Sequence, residues 1–266
     1  MEIVIKSLYL LKMSPEQYEI RFWYRQLLEH CLFIYLGLTS MSFIKSDPNF
    51  RKVLVSPLPE NQPQANLYKL DDLIRDGAKI NELKNESRVL LNEWSKYEEK
   101  VTKDDYDIPK LELLLNRTGA LKTNVLNLEK AGIWSGWLYP GFIQHMLDEL
   151  NFFYNKLKGN VSIEDEITFW NKINAEHVDL TSHLVNIGVG ENRQVVNDGF
   201  IISNNGYLLD SYSPDLINAY EYALESLGYM TYVRNSKISS IINPILAEHD
   251  IRETERAIEF LRSINR

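Results

Sequence analysis

The chain repeats itself, and this constrains its fold more than any other feature. Glu19-Ile20-Arg21-Phe22-Trp23 leads to Glu29-His30, and Glu166-Ile167-Thr168-Phe169-Trp170 leads to Glu176-His177. Aligned without a gap, the two windows share Glu, Ile, Phe, Trp, Glu and His, and Arg25 matches Lys172 in charge. A second pair closes each half. Pro140 precedes His145 and Glu149, Pro244 precedes His249 and Glu253, and both read P-x4-H-x3-E, with Leu157 and Leu261 matching further on. Of the 5 histidines only His183 has no counterpart, and it reads as an ordinary surface or core residue. Self-similarity in the same order twice marks a duplication. The halves run from 1 to 159 and from 160 to 266, each a plausible domain size.

Helix signals fill both halves. Ser14-Pro15-Glu16-Gln17 combines an N-cap, a proline at the first helical position and a glutamine to close a capping box. It opens a helix reaching the late thirties. A polar helix from about 70 to 99 follows, and then one over 109–130. In the latter Leu111, Leu114, Leu115, Leu121, Val125 and Leu128 fall at helical spacing. A fourth runs from Pro140 toward Gly159. In the second half Ser162 with Asp165 caps a helix to about 187. Region 191–210 is ambiguous, Ser213-Pro214-Asp215 starts another helix, and the last begins around Ser236 and includes Pro244, which kinks it or opens a new segment. Gly (12) and Pro (9) are too few for a turn-rich β architecture. The reading is all-α, two tandem four-helix bundles.

At about 100° per residue, Glu19, Trp23 and His30 share one largely apolar stripe, as do Glu166, Trp170 and His177. Those stripes face the bundle interiors, with Trp23, Trp170 and Cys31 as core. Glu29 and Glu176 lie about 80° off the stripe and read as helix-flank residues. In the closing helices His145 and Glu149 are neighbours on a face with Phe142 and Phe152. His249 and Glu253 are neighbours with Leu246 and Phe260. Buried carboxylates and imidazoles must be paired or bound to metal. Inward Glu and His from separate helices are how bundles build iron and manganese sites. Without a thiolate set, imidazole plus carboxylate suits Fe, Mn or Zn. The candidate metal ligands are therefore Glu19, His30, His145 and Glu149, and in the second half Glu166, His177, His249 and Glu253. Glu19 and His30 are about 16 Å apart along one helix, so a single ion touches only one of them. Sequence alone leaves open which one, and Glu82, Glu86, Glu221 and Glu225 remain unassigned candidates from the middle helices.

Phe22-Trp23 with Glu29-His30, and the stretch from Pro140 to Leu150 around His145 and Glu149, resemble the bacterial DUF2935 family over nearly the whole chain. That resemblance implies tandem ferritin-like bundles with a metal site, and some members carry a spore coat label. It implies no reaction. Here isoleucines follow Glu19 and Glu166 and glutamates precede His30 and His177, where the family has E-H-x-F-W and a D-H pair. The E-x-x-H pairs of a di-iron ferritin are absent too.

Two readings follow. One is a ferritin-like Fe or Mn protein with a Glu/His site in each bundle. The other is a non-catalytic structural or interaction protein, spore-associated in character, whose Glu/His pairs only fix helix packing. A hydrolase is a poor third, since no G-x-S-x-G elbow or phosphate-cradling loop is present. The net charge of −8 disfavours nucleic acid and anionic membranes as partners. No apolar run reaches a membrane span, the opening stretch does not read as a signal peptide, and the lone Cys31 suits a reducing compartment. The expectation is a cytoplasmic protein whose partners are metal ions, with a homodimer allowed but not required.

Overall fold

The computed structural model describes residues 14–39, 70–103, 105–131, 138–184, 218, 221 and 244–264. Every regular element of any length among them is helical: α1 (Pro15–Thr39), α2 (Leu70–Thr102), α3 (Ile108–Lys130), α4 (Pro140–Leu157), α5 (Ile163–Leu184) and α6 (Pro244–Ile264). The chain divides into two compact units, Met1–Leu150 and Asn151–Arg266. The division falls within α4, ahead of the turn at Gly159. The ambiguous region 191–210 and nearly all of the helix expected after Ser213 lie outside the described residues, as do Trp134 and Trp137, which read as part of a loop over a bundle end, and the side chain of His183.

Local chemistry explains where the helices start and stop. The Ser14 amide donates to Gln17 Oε1 at 2.8 Å, and the Gln17 amide donates to Ser14 Oγ at 3.2 Å. The Ser162 and Asp165 amides make the same reciprocal exchange, at 3.0 and 3.1 Å. Each box satisfies two amides that the first helical turn leaves without carbonyl partners. Asp107 caps α3, with Pro109 in the first turn. α4 ends in a Schellman motif: the Asn160 amide donates to Asn155 O and the Gly159 amide to Lys156 O, both at 3.0 Å. Gly159 takes the left-handed φ of 70° that this motif demands.

In the first unit α1 and α2 run antiparallel. Arg21 reaches the Thr102 carbonyl, Tyr24 donates to Glu98, and Ser87 donates to the Cys31 carbonyl. α2 and α3 are antiparallel as well: Tyr97 donates to the Asp107 carbonyl, and Arg117 spans Glu93 and Glu86. All six apolar positions read as the inner stripe of α3 are buried. Trp23, Trp94, Leu27, Phe33 and Ile34 are wholly buried and fill the interior. Within 96–100, which reads from sequence as a solvated face, Tyr97 turns inward and is buried. In the second unit Phe152 stacks on Phe169, ring centroids 3.6 Å apart, and Lys156 pairs with Glu166 at 2.5 Å.

Cys31 sits wholly inside this packing, and burial pushes its thiol up to about 12. Because only the thiolate attacks a disulfide reagent, the native protein at pH 8 is expected to leave Cys31 unlabelled by a thiol-reactive disulfide. Full labelling should appear only after unfolding in denaturant. Stoichiometric labelling of the native protein within minutes would contradict this placement.

Candidate metal centre

α4 places His145 and Glu149 one turn apart, and α1 brings His30 to the same carboxylate. His145 Nε2 lies 2.8 Å from Glu149 Oε1, and His30 Nε2 lies 2.9 Å from Glu149 Oε2. One carboxylate therefore offers one oxygen to each imidazole, and all three side chains are buried, Glu149 completely. The second unit builds the same constellation from the repeated motifs. His177 Nε2 of α5 lies 2.9 Å from Glu253 Oε2, and His249 Nε2 of α6 lies 3.4 Å from Glu253 Oε1. Atom for atom, the two units present two Nε2 nitrogens to the two oxygens of one glutamate.

Such buried His/Glu groups could hold a metal ion. Each histidine and its glutamate offer ligand atoms within 4.8 Å of one another. Nitrogen and oxygen ligands held about 2.1 Å from an ion and roughly at right angles lie about 3 Å apart. The nitrogen–oxygen separations of 2.8, 2.9 and 2.9 Å match that edge, and 3.4 Å fits a wider angle.

The structure separates the opening glutamates from these centres. Glu19 Oε2 accepts the Trp23 indole N–H at 3.1 Å. Glu166 Oε1 accepts the Trp170 indole N–H at 3.3 Å and pairs with Lys156. Between Glu19 and His30, it is His30 that reaches Glu149. The repeat thus carries a Glu–Trp pair at the start of its first helix and a histidine three turns later. A third repeated pair lies between them, Arg25 with Glu29 at 2.7 Å and Lys172 with Glu176 at 3.7 Å. Glu29 is buried against Arg25 rather than lying on a solvated flank. Of the middle-helix carboxylates, Glu86 pairs with Arg117 and Glu221 with Arg262, while Glu82 is exposed.

Two residues beside the centres have no place in the motif reading. Lys122 of α3 is completely buried, its Nζ 2.8 Å from His30 Nδ1 and donating to the Met146 carbonyl at 2.5 Å. Its signal was present, because it lies seven residues after Leu115 and eleven after Leu111, on the apolar stripe of α3. Asp250, buried in α6, has Oδ1 3.9 Å from His177 Nε2. It occupies the repeat position held by Met146 in the first half.

Comparison with known proteins supplies relatives but no activity. The uncharacterized protein L567 of Acanthamoeba polyphaga mimivirus is 23% identical over 274 residues, covering 92% of this chain and 80% of its own. A crystal structure of an uncharacterized protein from Bacillus cereus G9241 aligns over 93% of this chain and 89% of its own. The TM-score is 0.53 at 17% identity, which is a likeness of fold. No family model matches the chain. No helix among the described residues is long and apolar enough to cross a membrane.

Proposed function

We propose that the protein is a ferritin-like metal-binding protein with a Glu/His site in each unit that holds Fe or Mn. The observation that carries this is the recurrence, in both units, of a buried glutamate whose two oxygens each face an imidazole Nε2. Imidazole nitrogen and carboxylate oxygen are donors suited to Fe(II) or Mn(II). The DUF2935 resemblance points the same way and assigns no reaction. When bound, the ion would supply Lewis-acid or redox chemistry. The chain's own part is to hold three donors in a dry interior and to orient each imidazole.

The second reading, a scaffold whose Glu/His pairs fix helix packing, is favoured by one observation, the Lys122 ammonium against His30 Nδ1. Titration of metal-free protein with Mn(II), followed by the loss of the free-ion electron paramagnetic resonance signal, separates the two. About two ions bound per chain in the micromolar range, with binding lost in His145→Ala/His249→Ala, supports the metal reading. No binding of Mn(II) or of anaerobic Fe(II) leaves the scaffold.

A further inference from the structure

We propose that Asp250, on the metal reading given above, makes the second unit the tighter of the chain's two Mn(II) sites, with Asn174 supplying a further oxygen.

The two units match at their histidines and central glutamates, so a difference in cation binding must come from what surrounds these residues. Two inner positions differ. α6 carries Asp250 where the first half has Met146, and α5 carries Asn174 where the first half has Leu27. Leu27 and Met146 are buried, and so are Asp250 and Asn174. The second half thus has oxygen-bearing side chains at two interior positions that are apolar in the first.

Asp250 Oδ1 lies 3.9 Å from His177 Nε2, the nitrogen that also faces Glu253. Donors on one ion stand at most about 4.2 Å apart, twice a bond of about 2.1 Å. The separation from Asp250 is within that span. His177 therefore has two carboxylates beside its Nε2, whereas beside His30 and Glu149 the first unit has Met146 in place of the second carboxylate.

Asn174 is an independent observation. On α5 the order Trp170, Asn174, His177 repeats Trp23, Leu27, His30 of α1, a single stripe in each helix. Asn174 Nδ2 donates to the Trp170 carbonyl at 2.8 Å, which identifies its other terminal atom as the oxygen. That Oδ1 is buried and has no hydrogen-bond partner among the described residues. A buried acceptor left unmet destabilises a chain, and a leucine there would not. A cation, or a water that it carries, satisfies such an oxygen.

Both exchanges act in one direction. A carboxylate in a low-dielectric interior attracts a divalent cation. Carboxylate and carbonyl oxygens suit Mn(II), whereas imidazole suits Zn(II). The second unit therefore binds Mn(II) more tightly than the first, and its advantage is smaller for Zn(II).

The test is titration of the metal-free full chain with Mn(II), read by the free-ion electron paramagnetic resonance signal. Two classes of site are expected, with affinities on the order of tenfold apart, the low end of what a neighbour of a metal ligand changes. His249→Ala should remove the tighter class and His145→Ala the weaker. Asp250→Asn, which keeps the shape, should weaken the tighter class on the order of tenfold and leave the weaker one unchanged. Competition should show a smaller loss for Zn(II), which general damage to the second unit would not produce. Asn174→Leu should raise the urea midpoint with chelator present yet weaken the tighter class, opposite effects that a packing residue would not give. If Asp250→Asn does not fold, Met146→Asp decides the matter, since it should tighten the weaker class. Two equal sites, a tighter class that survives His249→Ala, or unchanged Mn(II) binding by folded Asp250→Asn would overturn the role of Asp250 and leave the proposed function standing. No Mn(II) binding by the unaltered protein would overturn both.

Discussion

The Glu149→Ala variant is expected to lose about 3–5 kcal/mol of folding stability, the usual cost of removing one partner from a buried charge pair. The loss should appear with chelator present, because it arises from the chain alone. Glu149 is completely buried, and its two oxygens lie 2.9 and 2.8 Å from His30 and His145. Without it, the buried Lys122 beside His30 loses a buried carboxylate from its surroundings. Adding Lys122→Met to Glu149→Ala should recover part of the loss, since it removes a buried polar group whose surroundings have lost a carboxylate. Urea unfolding of the two single variants and the double variant measures this as a cycle. A loss under about 1 kcal/mol for Glu149→Ala, the level of an exposed ion pair, would contradict the buried centre.

The second large effect lies on α1, about two turns before His30. Trp23→Ala should cost about 3–5 kcal/mol, the range for truncating a buried aromatic side chain. Trp23 is completely buried, packs edge-on against Phe22, and donates its indole N–H to Glu19. Trp23→Phe keeps most of the volume but takes the donor from a buried carboxylate, which should cost about 1–3 kcal/mol. Trp170→Ala and Trp170→Phe should rank in the same order. Glu166 also keeps Lys156 as a partner. Equal cost for alanine and phenylalanine at position 23 would mean that the tryptophan contributes its hydrogen bond and little packing.

These pairs also show what was legible in the sequence. Helix limits were readable where the signal is covalent and local. Ser14 with Gln17, Ser162 with Asp165, and Pro140 at its helix start all act within one turn. The inner stripe of α3 was readable because six apolar residues keep helical spacing. His145 with Glu149 and His249 with Glu253 were readable as pairs because i and i+4 meet on any helix. What periodicity could not supply was register between helices. Glu19 and His30 share a face, so only packing decides that His30 meets Glu149 while Glu19 turns to Trp23. Glu29 stood off the stripe on an ideal helical wheel, yet its pairing with Arg25 lets it lie buried. Lys122 occupied an apolar stripe in plain view, but a lysine there gains a meaning only once His30 and Met146 are known to flank it.

The account's central claim is a metal ion held at the Glu/His site of each repeat. Elemental analysis of the full chain, purified without chelator and without a nickel column, tests it most directly beside the His145→Ala/His249→Ala variant. The account predicts about two Fe or Mn per chain in the unaltered protein and almost none in a folded variant. Absence of both metals from the unaltered protein, even after anaerobic loading with Fe(II) and Mn(II), would contradict it.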